Sequence, residues 1–493
     1  MLVTAIGLEP VAAAAPADQA SLLRVVFGLA AALVLAVAAA HPVVRRIERR
    51  LGLTVLLSSG LPFLAMGVIF RLDRVGILTD AVVNDLRPAL EFGLGWLGFV
   101  VGMQFDVRDI DHMPEKTGSV VVAESVIPLV AAAAACFVAM IAIQFFGAFD
   151  KTETFGWQLG VAVSSDAFRD ALALGACAAP AAPVAAVAIA RSSGSVAASL
   201  VQRITMLNDG AGIVVLLLIC AFFRPSDAVA AWKLSHIGWL FVTLGMGGVL
   251  GILTYVLVRS ASSLPEEVAY LLGAIALSAG MSGYLGISPL VSCAIAGALL
   301  TNLPHKDARE LKQTMIQLER PLYLIFLLIA GALWDPTQLA GWVLVPVFAL
   351  TRVAGKIVGA HVAEHTGPKE LPDATTLGLA LAPQSPIAIA TIVSYMTLYG
   401  VRPAATSLMT AVIGSAVITE LAVQAIARGR GGLKFDIGNP SFSSIRPPPP
   451  SFMSAALHAT DAALGAPTLP DIPTETKTKH PTDPGLGGGG HGP

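Results

Sequence analysis

Apolar runs of roughly twenty residues, separated by short polar breaks, recur from residue 21 to residue 427 of the chain. At 1.5 Å rise per residue, such a run matches the hydrocarbon thickness that a helix must cross. The runs fall at 21–41, 53–70, 86–104, 118–147, 166–190, 196–222, 235–259, 266–283, 287–303, 316–334, 338–362, 374–398 and 403–427. This pattern predicts an all-α polytopic membrane protein of about thirteen transmembrane helices. The hydrophobicity is most broken over 155–175, where Asp166, Arg169 and Asp170 are placed at the mouth of span 5.

Composition agrees with that class, since 55% of the 493 residues are hydrophobic and only 13% are charged. A formal net charge of −2 gives no reason to expect a nucleic-acid partner, so the expected surroundings are membrane lipids. Cys136, Cys177, Cys220 and Cys293 all lie inside apolar runs, as packed thiols do, with no metal or disulfide spacing. Residues 1–20 contain no Lys or Arg and so lack the positive start of a signal peptide. The tail, 429–493, carries Pro447–Pro450 and a Gly-rich end; with too little apolar surface to fold, it is expected to be disordered. Fourteen Lys and Arg fall in loops on one side, from Arg45 to Lys369, against seven on the other, from Arg71 to Arg402. The positive-inside rule puts the richer side in the cytoplasm, hence segment 1–20 outside and the tail inside.

Three short landmarks occur twice in the same order. Gly60-Leu61-Pro62 is echoed by Gly286-Ile287-Ser288-Pro289, and Gly102-Met103-Gln104-Phe105-Asp106 by Gly331-Ala332-Leu333-Trp334-Asp335. Ala179-Pro180-Ala181-Ala182-Pro183 is matched by Ala382-Pro383-Gln384-Ser385-Pro386. Spans 1–6 (about 21–222) and 8–13 (about 266–428) then form two six-helix repeats joined by a linker helix at about 235–259. An offset of seven spans makes the copies inverted, an arrangement that places a site between them near the midplane. Each Pro-x-x-Pro removes two backbone donors within a turn, so spans 5 and 12 are expected to break and cross, with Pro180, Pro183, Pro383, Gln384, Ser385 and Pro386 at the crossing. Simple proline kinks are the alternative.

Span 6 carries Asn208-Asp209 in an otherwise apolar helix. An ionised Asp at a helix centre costs roughly 2.5–3.5 kcal/mol on insertion scales, so such a group usually faces a cavity where a proton or a cation neutralises it. The alternative is an Asp locked permanently between helices. Arg352 and Lys356 lie one turn apart in span 11, where one of them would neutralise Asp209; Lys356 is also near enough to the cytoplasmic end to snorkel. Glu124 in span 4 reads as a structural salt-bridge partner for Arg352, and Glu420 in span 13 as structural. Thr205, Gln384 and Ser385 offer further oxygen ligands.

Over about residues 20–428 the chain resembles the cation:proton antiporters, especially the monovalent cation:proton antiporter-2 branch. The resemblance rests on Phe99-Val100-Val101-Gly102-Met103-Gln104-Phe105-Asp106, Gly286-Ile287-Ser288-Pro289-Leu290 with Ala294-Ile295-Ala296-Gly297, Leu207-Asn208-Asp209, and Arg352 with Gly355-Lys356. It implies a dimerisation domain and a core domain of crossed broken helices, a homodimer in the inner membrane, and elevator-like alternating access. It also implies that Asp209 carries the ion and proton, with Lys356 at the family's basic position. Electrogenic relatives have two adjacent Asp; Asn208-Asp209 resembles the electroneutral members, which often use Arg, whereas this chain has both Arg352 and Lys356. Where relatives carry Thr before the first proline of the span-5 break, this chain has Ala178-Ala179-Pro180. The expected activity is exchange of Na⁺ or K⁺ for H⁺, one for one, in pH homeostasis, with no cofactor and no enzymatic chemistry. A sodium-coupled organic-anion symporter would need oxygen-rich Na⁺ sites around the crossing. A polytopic membrane enzyme would need acidic or His clusters in sizeable loops, and the nine His form none.

Overall fold

The computed structural model describes Ala30 and residues 60–72, 75–145, 165–224, 234–304 and 308–429. The segment 1–20, nearly all of the first span and the tail expected to be disordered lie outside the described residues.

Among the described residues sixteen α-helices follow one another: α1 Leu61–Arg71, α2 Asp80–Asp85, α3 Arg87–Gly102, α4 Val107–Asp111, α5 Thr117–Phe145, α6 Ser165–Ala178, α7 Pro183–Ala190, α8 Ser195–Phe222, α9 His236–Ser260, α10 Leu264–Leu285, α11 Pro289–Asn302, α12 Ala308–Leu333, α13 Leu339–Thr366, α14 Ala374–Leu381, α15 Pro386–Tyr399 and α16 Pro403–Gly429. Among the described residues there is no strand, only an isolated antiparallel bridge between Ala181 and Gln384. Helices α5, α8, α9, α10, α13 and α16 are each long and apolar enough to cross a bilayer, and shorter apolar helices accompany them. The protein is therefore an all-α, multi-pass membrane protein.

Local sequence explains where helices begin. Proline stands in the first turn of α1, α3, α7, α10, α11 and α15, where its missing N–H costs no bond and its φ is already helical. Ser288 and Ser385 cap α11 and α15 by accepting from the Val291 and Ile387 amides. The echo of Gly60-x-Pro62 in Gly286-x-x-Pro289 has a common cause: both glycines adopt a left-handed φ, +75° and +64°, just before a proline-opened helix.

Spans 5 and 12, continuous by hydrophobicity alone, are each two helices. The first halves stop at Ala178 and Leu381, the second halves start at Pro183 and Pro386, and the residues that lead into them, Ala182 and Ser385, are extended. Around them, α5 packs along α13, α6 against α15 and α7 against α14. Helix α3 packs on α11 and α1 on α12, while α8 flanks α7 and α16 flanks α15. Small residues let backbones touch at these crossings. A Cβ on Gly98 or Gly102 of α3 would run into the Leu290 or Ala294 carbonyl of α11, and one on Gly67 of α1 would meet the Leu328 carbonyl of α12. The four cysteines are buried and unpaired.

Gly98→Leu should force α3 away from α11 and cost at least about 1–3 kcal/mol. A detergent-solubilised variant unfolding at the wild-type temperature would contradict this packing.

Candidate functional site

Helix α8 carries Asn208 and Asp209 where both are buried, at 0% and 2% exposure. Asn208 Oδ1 accepts from Ser125 Oγ of α5 at 2.9 Å, while its Nδ2 has no partner. The Asp209 carboxyl is approached by the Ser385 hydroxyl, and Lys356 is the cation near enough to act on it. Its Oδ1 has no hydrogen-bond partner among the described residues. Because Ser385 caps α15, the acid lies beside the N-terminus of a half-helix, where backbone amides and the helix dipole favour negative charge.

The two breaks meet. Ala181 bridges Gln384, and the Ala182 amide donates to the Pro383 carbonyl at 2.9 Å. Pro180 and Pro383 sit in the gaps, and Pro183 and Pro386 start the second halves. Ending α6 and α14 so early strands carbonyls deep in the protein. Arg352 answers three of them: it donates to Pro180 O at 2.8 Å, to Pro383 O at 3.3 Å, and to Ala382 O. Lys356, one turn on, donates to Ala179 O at 2.8 Å and to Glu124 O at 2.7 Å. Both side chains are completely buried, so Lys356 does not snorkel to the interface. The guanidinium fork spans the two breaks, and the ammonium serves one break and α5. Cations at helix C-termini also oppose the negative end of the dipole.

Glu124 is fully buried, and neither carboxylate oxygen has a hydrogen-bond partner among the described residues. Its ion-pair partner is Lys356, at 3.8 Å, rather than the Arg352 expected from sequence. Arg352 is committed to the carbonyls, whose fixed positions match its planar donors. Gly355 and Gly359 on either side of Lys356 allow this closeness. A Cβ on Gly359 would lie 3.2 Å from the Glu124 carboxyl, and one on Gly355 would press on Pro128 of α5.

The remaining candidates are scattered in role. Thr205 Oγ1 donates to Gln202 O of its own helix at 2.7 Å and so makes no link to the breaks. Gln384 Nε2 donates to Cys177 O at 3.3 Å, and its Oε1 is buried without a partner. Glu420 lies half-buried on α16. Asp166, Arg169 and Asp170 occupy the start of α6, but they form a network that sequence did not suggest. Arg169 pairs with Asp166 at 2.8 Å and donates to Tyr395 OH at 2.7 Å, while Tyr395 OH donates to Asp170. Arg402 adds a cation 3.7 Å from Asp170, so the cluster ties α6 to α15. Ser125, too, escaped notice, although it adjoins Glu124.

The family model described as "Sodium/hydrogen exchanger, transmembrane" matches residues 32–428. The chain belongs to the sodium/hydrogen exchanger family. No curated protein matches it significantly. The matched range takes in every residue of the site just described, from Glu124 to Pro386. A sodium/hydrogen exchanger moves cations against protons and makes or breaks no covalent bond.

Removing Lys356 leaves Glu124 as an unpaired buried acid and strands the Ala179 carbonyl. Lys356→Ala should cost about 3–5 kcal/mol of stability, and adding Glu124→Gln should return part of the loss. Equal thermal stability of the single and double variants would show that the pair is not coupled.

Proposed function

We propose that Asp209 is the exchange acid, holding either a proton or a monovalent cation, Na⁺ or K⁺, and that only these neutralised states let the core cross between the two sides. One observation carries this reading: a fully buried carboxyl keeps one oxygen without a protein partner, beside a helix N-terminus and a break lined by polar atoms. An ionised group there is costly unless a cation accompanies it. Asn208, the oxygen atoms of Ser385 and Gln384, and the backbone carbonyls of the crossing complete a set of hard oxygen ligands.

The positive charges of Arg352 and Lys356 are engaged by backbone carbonyls and by Glu124, and on this reading they stay with the protein through the cycle. The moving unit then carries the same charge whether Asp209 holds H⁺ or a cation, so exchange is one for one and electroneutral. Asn208-Asp209, with the motifs around Gly102 and Gly286, supports membership of the antiporter-2 branch.

The packing supports two inverted repeats. Exchanging span n with span n+7 turns the contact of α3 with α11 into that of α12 with α1, and the contact of α6 with α15 into that of α14 with α7. Helix α5 against α13 maps onto itself. Ala181 and Gln384 are equivalent positions in the two copies, and an antiparallel bridge between equivalents is what a two-fold axis through the crossing produces. With thirteen spans, the proposal includes an N-terminus outside, a tail in the cytoplasm of an inner-membrane homodimer, and elevator-like movement of the core.

In proteoliposomes with a pH-sensitive dye, Na⁺ or K⁺ should drive proton movement in the wild type and not in Asp209→Asn. Full residual exchange in that variant would remove the proposal. Imposing a membrane potential should move no net charge through the wild type.

A further inference from the structure

The stretch of α8 around the acid is enclosed on successive faces. Asn208 meets α5 through Ser125, Asp209 meets the first turn of α15 through Ser385, and a Cβ on Gly212 would lie 2.8 Å from the Ala176 carbonyl and 3.0 Å from the Pro180 ring. Those neighbours all belong to α5 and the broken helices. Gly210 differs. Its neighbour is Phe105, whose ring fills the notch that a side chain would occupy, with two ring carbons 2.9 and 3.0 Å from the position of a Cβ. Successive helix residues turn by about 100°, so this notch opens on the face next to the acid.

Phe105 comes from the loop after α3, and α11 clamps that loop. Asn302 Nδ2 donates to Phe105 O at 2.7 Å, and Asn302 Oδ1 accepts from the Val107 amide at 2.8 Å. Thr301 Oγ1 donates to Met103 O at 3.2 Å, and the Phe105 amide closes a turn on Gly102 O at 3.0 Å. The ring is thus held on the α3–α11 pair and leans on the acid-bearing helix. Phe105 and the neighbouring Asp106 are only half-buried, whereas Asp209 is 2% exposed. The half-buried ring therefore touches the residue that follows the acid in α8.

We propose that Phe105 is a gate residue for the acid: seated in the Gly210 notch it closes the last approach to Asn208-Asp209, and it leaves the notch when α8 moves relative to the α3–α11 pair. An apolar ring in a narrow polar route keeps water out until it is displaced. The Asn302 clamp makes the gate stationary, so that movement of α8 opens it. This rests on the reading of Asp209 as the exchange acid.

The test uses the full-length protein in proteoliposomes. Phe105→Ala should raise passive proton leak, measured without Na⁺ or K⁺, by about tenfold or more, and adding Asp209→Asn should abolish the leak. Gly210→Ala puts a methyl where the ring sits, so it should raise the same leak, and Gly210→Ala with Phe105→Ala should leak no more than Phe105→Ala alone. A Phe105→Ala protein as tight as wild type would overturn the gate, as would a folded Gly210→Ala protein as tight as wild type. Should Gly210→Ala fail to fold, the leak of Phe105→Ala decides alone. A wild type without cation-driven proton movement would instead sink the exchange reading, a result separable from leak through Phe105→Ala.

Discussion

A peptide carbonyl left without a donor at bilayer depth costs several kcal/mol, and lipid has nothing to offer it. That constraint governs the centre of this protein. Two proline pairs stop helices α6 and α14 in the interior, and each stop strands carbonyls that water and lipid cannot reach. Arg352 and Lys356 satisfy them from a single helix, α13, which explains two fully buried cations one turn apart. Without those donors the breaks would leave their carbonyls unsatisfied, and without the breaks Arg352 would lose its three carbonyl partners. The dense packing of α13 on α5 follows, because Gly355 and Gly359 bring Lys356 within reach of both Glu124 and the Ala179 carbonyl.

The same arrangement sorts the buried charges. Lys356 has a carboxylate beside it and Arg352 has three carbonyls, so their charges are matched by fixed groups. Asp209 is treated differently. It receives one hydroxyl, faces a neighbouring amide instead of a second acid, and keeps an oxygen open. Glu124, the other buried acid, also lacks hydrogen-bond partners among the described residues, but it stands 3.8 Å from the Lys356 ammonium. On the reading proposed above, Asp209 is left open to cargo while Glu124 is matched by a fixed cation.

Much of this was legible in the sequence. Apolar run lengths located most of the described spans within a few residues, because the bilayer dictates length and many starts carry a proline or a side-chain cap. The breaks were legible in Pro180–Pro183 and Pro383–Pro386, since a proline's missing donor is a local fact. Partner choice was not. Arg352 was expected opposite an acid and took carbonyls, because which carbonyls converge on a guanidinium depends on how two distant breaks cross. Ser125 and Tyr395 gave no signal, as a lone hydroxyl or ring in an apolar run acquires meaning only from what packs against it, and Phe105 stood within a repeated motif that named no role for its ring.

The two breaks match in backbone and differ in side chains. Ala181-Ala182 in the first stands where the second has Gln384-Ser385, so one gap offers only backbone while the other adds a carboxamide and a hydroxyl. Ser385 both caps α15 and reaches the Asp209 carboxyl, whereas Ala182, its counterpart at the start of α7, has only a methyl group and makes no side-chain cap. A pair of breaks equivalent in origin would give two equivalent half-sites, and a cation bound symmetrically would have no single acid to compete with protons. Polar side chains on one gap and apolar ones on the other remove that equivalence. On the reading proposed above, the repeat supplies the crossing, and the departure from the repeat supplies a single site for exchange.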